Sequence, residues 1–488
     1  MKNLFLLIAL CVCVVGGIFV STNIDMITMK TVIISILGLV GFVFLIIPMK
    51  WALRGVLIYV GFEGAFKVLA DYTALIHVST DILISLLCFK VVILTVLKRT
   101  AIPRGAPPLF ILFVIHFGWL LVEFANPYAI SLYSSLAAIK IYGTVVMLYF
   151  FGYYLTHSAR DAKILMGLWV FIVAAHSFAA VYQSSIGPTS LTAIYSGYQT
   201  VLSRFKLPEF RPFGFGHAPG VPAAFIFLGS SFLAYFLIYS KKTWIKTICV
   251  IIAITALSTL LVCQIRSALL KVIVAVMFFL IFRLSSYKKV DFKKAFRPIV
   301  AFAIMSIVIA VGTPRLIGYL QQKYLGNIFA VNRTLMLFDY DKTLTARSGM
   351  WGRLKEYAEL VPLGAGLSRV GAAGGKFKYL IDKDEYFRGG FFTDNLWLAT
   401  LVDLGIPGMV IFSLIALSII FLGFRVQVRA PPNEIRIICA AILSALIAIY
   451  IGCYGSEAYL YNPEAVFFWT FSGVMIRLSE MAAKKKTV

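Results

Sequence analysis

Residues 241–289 read KKTWIKTICVIIAITALSTLLVCQIRSALLKVIVAVMFFLIFRLSSYKK. The stretch holds two apolar runs of about twenty residues, each long enough to cross a lipid bilayer as a helix. A short turn around Arg266 separates the runs, and lysines flank their far ends at Lys242 and Lys289. A hairpin with both lysine-rich ends on one side of a membrane explains this arrangement, because basic residues concentrate on the cytoplasmic side. The stretch therefore predicts an all-α polytopic membrane protein.

The rest of the chain extends this pattern. The 488 residues are 61% hydrophobic and carry a net charge of +24, which excludes an ordinary soluble domain. We predict about 12–14 transmembrane helices. The fourteen apolar segments are centred near Ala9, Leu39, Tyr59, Ser85, Ile115, Val145, Ile172, Leu228, Ile254, Val276, Ser306, Ile411, Ala445 and Trp469. The predicted divisions are N-terminal helices (1–184), helices with arginine-bearing outer loops (185–313), one large outer loop (314–395), and C-terminal helices with a basic tail (396–488).

The positive charge alternates between connections. With a cytoplasmic N-terminus, the cytoplasmic segments hold 24 of the 45 Lys and Arg residues, from Lys2 to the tail at 484–486. This bias predicts that both termini are cytoplasmic and that the large loop is on the outer side. The excess also favours contact with anionic membrane lipids, and it gives no indication of nucleic-acid binding. None of the seven cysteines has metal-ligand spacing, so we predict that they pack and hold no metal.

Two predicted outer connections carry isolated arginines. Arg211 and His217 lie in the Pro/Gly-rich stretch RPFGFGHAPG over residues 211–220, which cannot form a regular helix. An arginine there can bind a phosphate in bidentate geometry, or its guanidinium can extend to lipid headgroups. Arg266 is the only charge in its tight turn, on the side where positive charge is disfavoured, so we favour a functional role for it.

The large outer loop carries the third group of candidates. Arg347, Trp351 and Arg353 precede a predicted short helix over 354–360, which is followed by the glycine-rich stretch PLGAG at 362–366. Asp394 and Asn395 stand where the chain enters the next apolar run. Asp394 is either the cap of that helix or a general base beside the arginines. Such a loop of about 80 residues is usually functional.

These motifs, in this order, resemble the bacterial O-antigen ligase/polymerase superfamily, the Wzy- and WaaL-like glycosyltransferases. The resemblance covers about 204–408. It is carried by RPFG at 211–214, IRSA at 265–268, RSGMW at 347–351, PLGAG at 362–366, DNLWL at 394–398 and VDLGIPG at 402–408. It implies a GT-C-like enzyme in the bacterial cytoplasmic (inner) membrane, with the large loop in the periplasm.

The resemblance also implies a chemistry. Such enzymes move a glycan from an undecaprenyl-diphosphate donor to a lipid-linked acceptor, and no metal or other cofactor is implied. Proteins of polysaccharide export and chain-length control are further implied partners. The matching diphosphate-binding positions are Arg211, Arg266, Arg347 and Arg353. Asp394 and Arg266 are the predicted catalytic residues, because a carboxylate can activate a sugar hydroxyl and arginine stabilises a leaving diphosphate. Further candidates are His217, Asn395 and Trp351, and reserve carboxylates are Asp403, Glu457 and Glu464.

Three functions remain open from the sequence. A polymerase extends lipid-linked repeat units, whereas a ligase transfers the glycan to lipid A core. Ligases of this superfamily usually carry His-Asn at the loop exit, where this chain has Thr393-Asp394-Asn395, so we favour a polymerase. A lipid-linked oligosaccharide flippase is the rival from another class. Its support is a set of charges inside apolar segments, at Glu63, Lys67, Asp81, Lys90 and Lys140.

Overall fold

The computed structural model describes residues 38–39, 41–70, 74–97, 105–129, 131–195, 197–204, 210–263, 265–285, 353–370, 395–431, 433–453, 460 and 462–484. Within these ranges the fold is all-α. In chain order the helices are α1 (Met49–Leu69), α2 (Ala74–Val96), α3 (Phe110–Phe124), α4 (Leu132–Ile139), α5 (Met147–Leu155), α6 (Ala159–Ile194), α7 (Tyr198–Arg204), α8 (Gly220–Tyr239), α9 (Thr243–Cys263), α10 (Arg266–Ser285), α11 (Leu396–Arg429), α12 (Glu434–Gly452) and α13 (Glu464–Lys484).

Eight of the described helices are long and apolar enough to cross a membrane, counting the span Ser134–Leu155 that joins α4 and α5. The all-α membrane architecture is therefore confirmed. Eleven of the fourteen predicted segments coincide with described helices. The segments near Ala9 and Ser306 lie outside the described residues, and the one near Leu39 is described only at 38–39 and 41–46.

Polar side chains fix where several helices begin. The hydroxyl of Ser158 accepts a hydrogen bond from the backbone N–H of Asp161 and caps α6. Asn433 caps α12 in the same way through the N–H of Arg436. Both residues precede long apolar runs, so each cap satisfies N–H groups that a helix start leaves without an intrahelical partner.

The core lies around α8. This helix packs on α6, α9, α10 and α12, while α13 packs most closely on α5. Gly152 and Gly473 allow the last contact, because a Cβ at either position would collide with the backbone of the opposite helix. Small residues at such crossings let membrane helices approach closely enough for van der Waals packing.

The two ends of the bundle differ. One end carries the connections 210–219, 353–370 and 460–464, and we call it the loop end. The other carries ion pairs of Lys50 with Asp161 (3.0 Å) and Lys163 with Glu434 (2.8 Å), and we call it the basic end. The described parts of the motifs that are predicted to face outward thus lie at one end, opposite the charges that are predicted to be cytoplasmic.

Candidate functional site

The Pro/Gly-rich stretch after Arg211 is held against α6 and α1. The side-chain oxygen of Gln183 in α6 accepts hydrogen bonds from the backbone N–H groups of Phe213 (2.9 Å) and Gly214 (2.8 Å). Its nitrogen donates to the carbonyl of Gly214 at 2.7 Å. On the other side, a Cβ at Gly64 of α1 would lie 2.5 Å from the backbone of Gly216, so only glycine permits this approach. His217, next in the chain, is half-buried there.

Arg211 and Arg266 are brought to the same corner of the loop end. The thiol of Cys263, the last residue of α9, donates to the carbonyl of Pro212 at 3.3 Å. The chain then turns, and α10 begins at Arg266. The backbone next to Arg211 therefore touches the helix end three residues before Arg266. The backbone segments that carry these two predicted phosphate-binding positions are therefore neighbours, although they are far apart in sequence.

Two ion pairs inside the bundle lie at the same end and are joined by one short segment. Glu63 and Lys67 of α1 pair at 3.0 Å, and Asn462 donates to Glu63 at 3.2 Å. Two residues later, Glu464 accepts from Lys271 of α10 at 3.0 Å. The segment 462–464 thus contacts both pairs. None of the sequence motifs includes Lys271, although an ionisable residue inside an apolar run is itself a candidate for function.

The glycine-rich stretch at 362–366 docks into a break in α11. Gly405 interrupts that helix with φ of 68°, and a Cβ there would collide with the backbone of Leu363. The break leaves backbone groups of α11 free to bond with residues 362–366. The N–H of Ala365 donates to the carbonyl of Val402 at 2.7 Å, and the N–H of Ile406 donates to the carbonyl of Pro362 at 2.8 Å. The break in α11 therefore receives this part of the predicted large loop.

Asp403 fastens the end of this stretch. One carboxylate oxygen accepts hydrogen bonds from the N–H groups of Arg369 (2.9 Å) and Val370 (3.1 Å). The other accepts from the hydroxyl of Tyr142 at 3.0 Å. Arg369 in turn donates through Nε to the carbonyl of Tyr128 at 3.0 Å. Asp403 is 3% exposed, so these contacts assign a structural role to this reserve carboxylate.

The remaining candidates are placed as follows. Arg353 is exposed at the start of a short helix over 353–360, whose existence the sequence predicted. Its guanidinium lies near Tyr357, where burial raises the pKa of the phenol and Arg353 opposes that rise. Arg347, Trp351, Asp394 and Glu457 lie outside the described residues, and of Arg266 only the backbone is described.

Asn395 serves as a helix cap. Its side-chain oxygen accepts from the N–H groups of Trp397 (2.9 Å) and Leu398 (3.2 Å), and the residue is buried. The interpretation of Asp394 as the cap of this helix is thus wrong, because its neighbour occupies that position. The general-base role of Asp394 stays a prediction. Among the described residues no group of three His, Cys, Asp or Glu side chains is arranged to hold a metal ion.

A comparison with protein families finds one match. Residues 251–413, about a third of the chain, match the family model Wzy_C, described as O-Antigen ligase. Six of the eight candidate residues fall within the match, and Arg211 and His217 precede it. The match confirms the resemblance to the O-antigen ligase/polymerase superfamily and supports O-antigen ligase or polymerase activity in general. A comparison with curated proteins finds no match.

Proposed function

Since residues 251–413 carry the signature of the O-antigen ligase/polymerase superfamily, we propose that this protein is a polysaccharide polymerase. It moves a glycan from an undecaprenyl-diphosphate donor to a lipid-linked repeat unit at the loop end, without a metal ion. The observation that carries the proposal is the corner where the backbone beside Arg211 touches the end of α9, just before Arg266.

The chemistry of the leaving group explains this arrangement. Glycosyl transfer releases undecaprenyl diphosphate, so negative charge develops on the bridging oxygen and the phosphates. Arginine stays protonated throughout and offers several N–H donors in a fixed plane. Two arginines at one membrane-edge corner therefore supply fixed positive charge where the departing diphosphate needs it. Arg347 and Arg353 of the large loop are the proposed additional contacts.

The acceptor hydroxyl requires a base or an orienting carboxylate. Asp394 directly precedes Asn395, the cap of α11 at the loop end. Asp403 and Glu464 have other partners, since Asp403 binds backbone N–H groups and Glu464 pairs with Lys271. Glu457, the third reserve carboxylate, lies outside both the described residues and the resembling region 204–408. We therefore assign the proton-accepting role to Asp394, which accepts the proton as the hydroxyl oxygen attacks the anomeric carbon.

The charges that support a flippase have structural partners. Glu63 pairs with Lys67, and Asp81 lies 3.8 Å from Lys140. Lys90 donates to the backbone carbonyl of Phe44 at 2.9 Å. Each of the five charges thus has a contact inside the bundle, so these charges do not by themselves distinguish a transport path from the ligand site of an enzyme.

A transfer assay tests the proposal. Purified protein receives a lipid-diphosphate oligosaccharide donor with chelator present, and the products are separated by glycan length. We expect a ladder of longer lipid-linked glycans from the wild type, and its loss in both Arg266→Ala and Asp394→Ala. A single addition that requires lipid A core would instead identify a ligase. Absence of transfer to either acceptor, with donor binding intact, would favour a flippase.

A further inference from the structure

Lys271 of α10 lies closer to the middle of the bundle than the corner formed by the Arg211 and Arg266 segments. Its ammonium pairs with Glu464 at 3.0 Å and lies 4.6 Å from the ring centre of Phe227 in α8. A Cβ at Gly452 of α12 would collide with the Lys271 stem. Two neighbouring helices and Glu464 thus contact this one lysine. Five residues along α10 from Arg266, it lies roughly 7.5 Å deeper, at 1.5 Å per residue.

Stability alone gives a weak reason for such a pair. Lys271 is 8% exposed and Glu464 is half-buried. The desolvation of such charges offsets much of their attraction, so apolar residues of similar volume would pack about as well. Ionisable residues inside a membrane bundle usually mark a ligand path or site. The loop end has two such pairs joined by one segment, next to two arginine-bearing segments.

We propose that Lys271 is a further binding residue for the diphosphate of the lipid donor, and that Glu464 holds its ammonium in place and competes with the phosphate oxygens for it. The inference rests on the proposed function and adds one residue to its donor site. A lysine ammonium has three N–H donors. Glu464 accepts a hydrogen bond from this ammonium in the structure, and in the donor complex the diphosphate shares or takes over its N–H groups.

The proposal predicts opposite effects for the two partners. Lys271→Met removes a cation, so donor binding should weaken by about tenfold, as expected for loss of one charge-assisted hydrogen bond. Glu464→Gln removes the competing anion, so binding should tighten by about threefold to tenfold. A purely structural pair would behave differently, because breaking it from either side disturbs the same packing.

The test measures equilibrium binding of undecaprenyl diphosphate to the purified full chain in phosphatidylcholine nanodiscs. The variants are Lys271→Met, Lys271→Arg and Glu464→Gln. Glu434→Gln is the matched control, because Glu434 pairs with Lys163 at the basic end and its loss should leave binding unchanged. Lys271→Arg retains the positive charge, so it should weaken donor binding less than Lys271→Met does. If Lys271→Met does not fold, as judged by thermal unfolding, the other two variants carry the test.

The possible outcomes either support or overturn the role of Lys271 in binding the diphosphate. Weaker binding in Lys271→Met with tighter binding in Glu464→Gln supports the inference, as does Lys271-dependent competition by inorganic pyrophosphate. Equal weakening in both variants, or no change in either, overturns it. Competition by phosphatidylglycerol but not by pyrophosphate would assign Lys271 to lipid headgroups and overturn it as well. The transfer assay separates the two proposals. If the two variants change binding in opposite directions but the protein shows no glycan transfer, the diphosphate site is supported and the polymerase function is contradicted.

Discussion

At the residue scale, two aspartates nine positions apart have different tasks. Asp403 is buried and its carboxylate is occupied by two backbone N–H groups and the Tyr142 hydroxyl. A carboxylate so occupied holds structure and has little capacity left for a substrate proton. Asp394 precedes the cap of the same helix, which is why the catalytic proposal rests on it. From the sequence alone, the two aspartates differ only in how far they lie from the point where the large loop enters α11.

The role of Asp403 can be tested by Asp403→Asn. The amide oxygen can still accept from the N–H groups of Arg369 and Val370, and the amide nitrogen can donate to the Tyr142 hydroxyl, but all three hydrogen bonds lose the charge of the carboxylate and become weaker. We expect a loss of about 2 kcal/mol in the free energy of unfolding, typical of a buried hydrogen bond to a charged group. Thermal unfolding in detergent measures it. Glu356→Gln, at an exposed position of the 353–360 helix, is the control and should unfold like the wild type. Equal stability of the two variants would refute the structural role.

At the element scale, the break in α11 is the feature that connects the outer loop to the membrane bundle. A continuous helix would satisfy its own N–H and C=O groups and leave nothing for the stretch 362–366 to bind. The positive φ at Gly405 interrupts the intrahelical hydrogen bonds of α11, and Pro407, two residues later, cannot donate a backbone hydrogen bond. The loop residues on both sides of the segment 371–394 are therefore anchored near the first turns of one helix.

Gly405→Ala tests this arrangement. The new Cβ would collide with the Leu363 backbone, and the backbone conformation itself costs about 1–3 kcal/mol for any residue other than glycine. We expect the stretch 362–366 to undock, so limited proteolysis within 353–370 should become faster while the bundle stays folded. Gly118→Ala is the matched control, because a Cβ at Gly118 meets no atom within 4 Å. Unchanged proteolysis of Gly405→Ala would contradict the anchoring role of the break.

At the scale of the whole molecule, the sequence predicts helices better than contacts. Apolar runs such as 243–263 and basic connections are local patterns, so they reveal the helices and suggest which connections share a side. The contact of Pro212 with Cys263 and the pairing of Lys271 with Glu464 join distant segments. No local pattern encodes such contacts, because they follow from how the helices pack. The cap position also escaped prediction, since Asp394 and Asn395 are both good N-cap residues.

The central claim is that the donor diphosphate binds at the loop end. The most direct measurement is photo-crosslinking of the full chain in nanodiscs with an undecaprenyl diphosphate that carries a photoreactive group next to the diphosphate, followed by mass spectrometry of the labelled peptides. We predict label in 210–219 and 263–271, reduced by unlabelled undecaprenyl diphosphate and by Arg266→Ala. Competed label at the basic end, around Lys50 and Lys163, with none at the loop end, would contradict the claim.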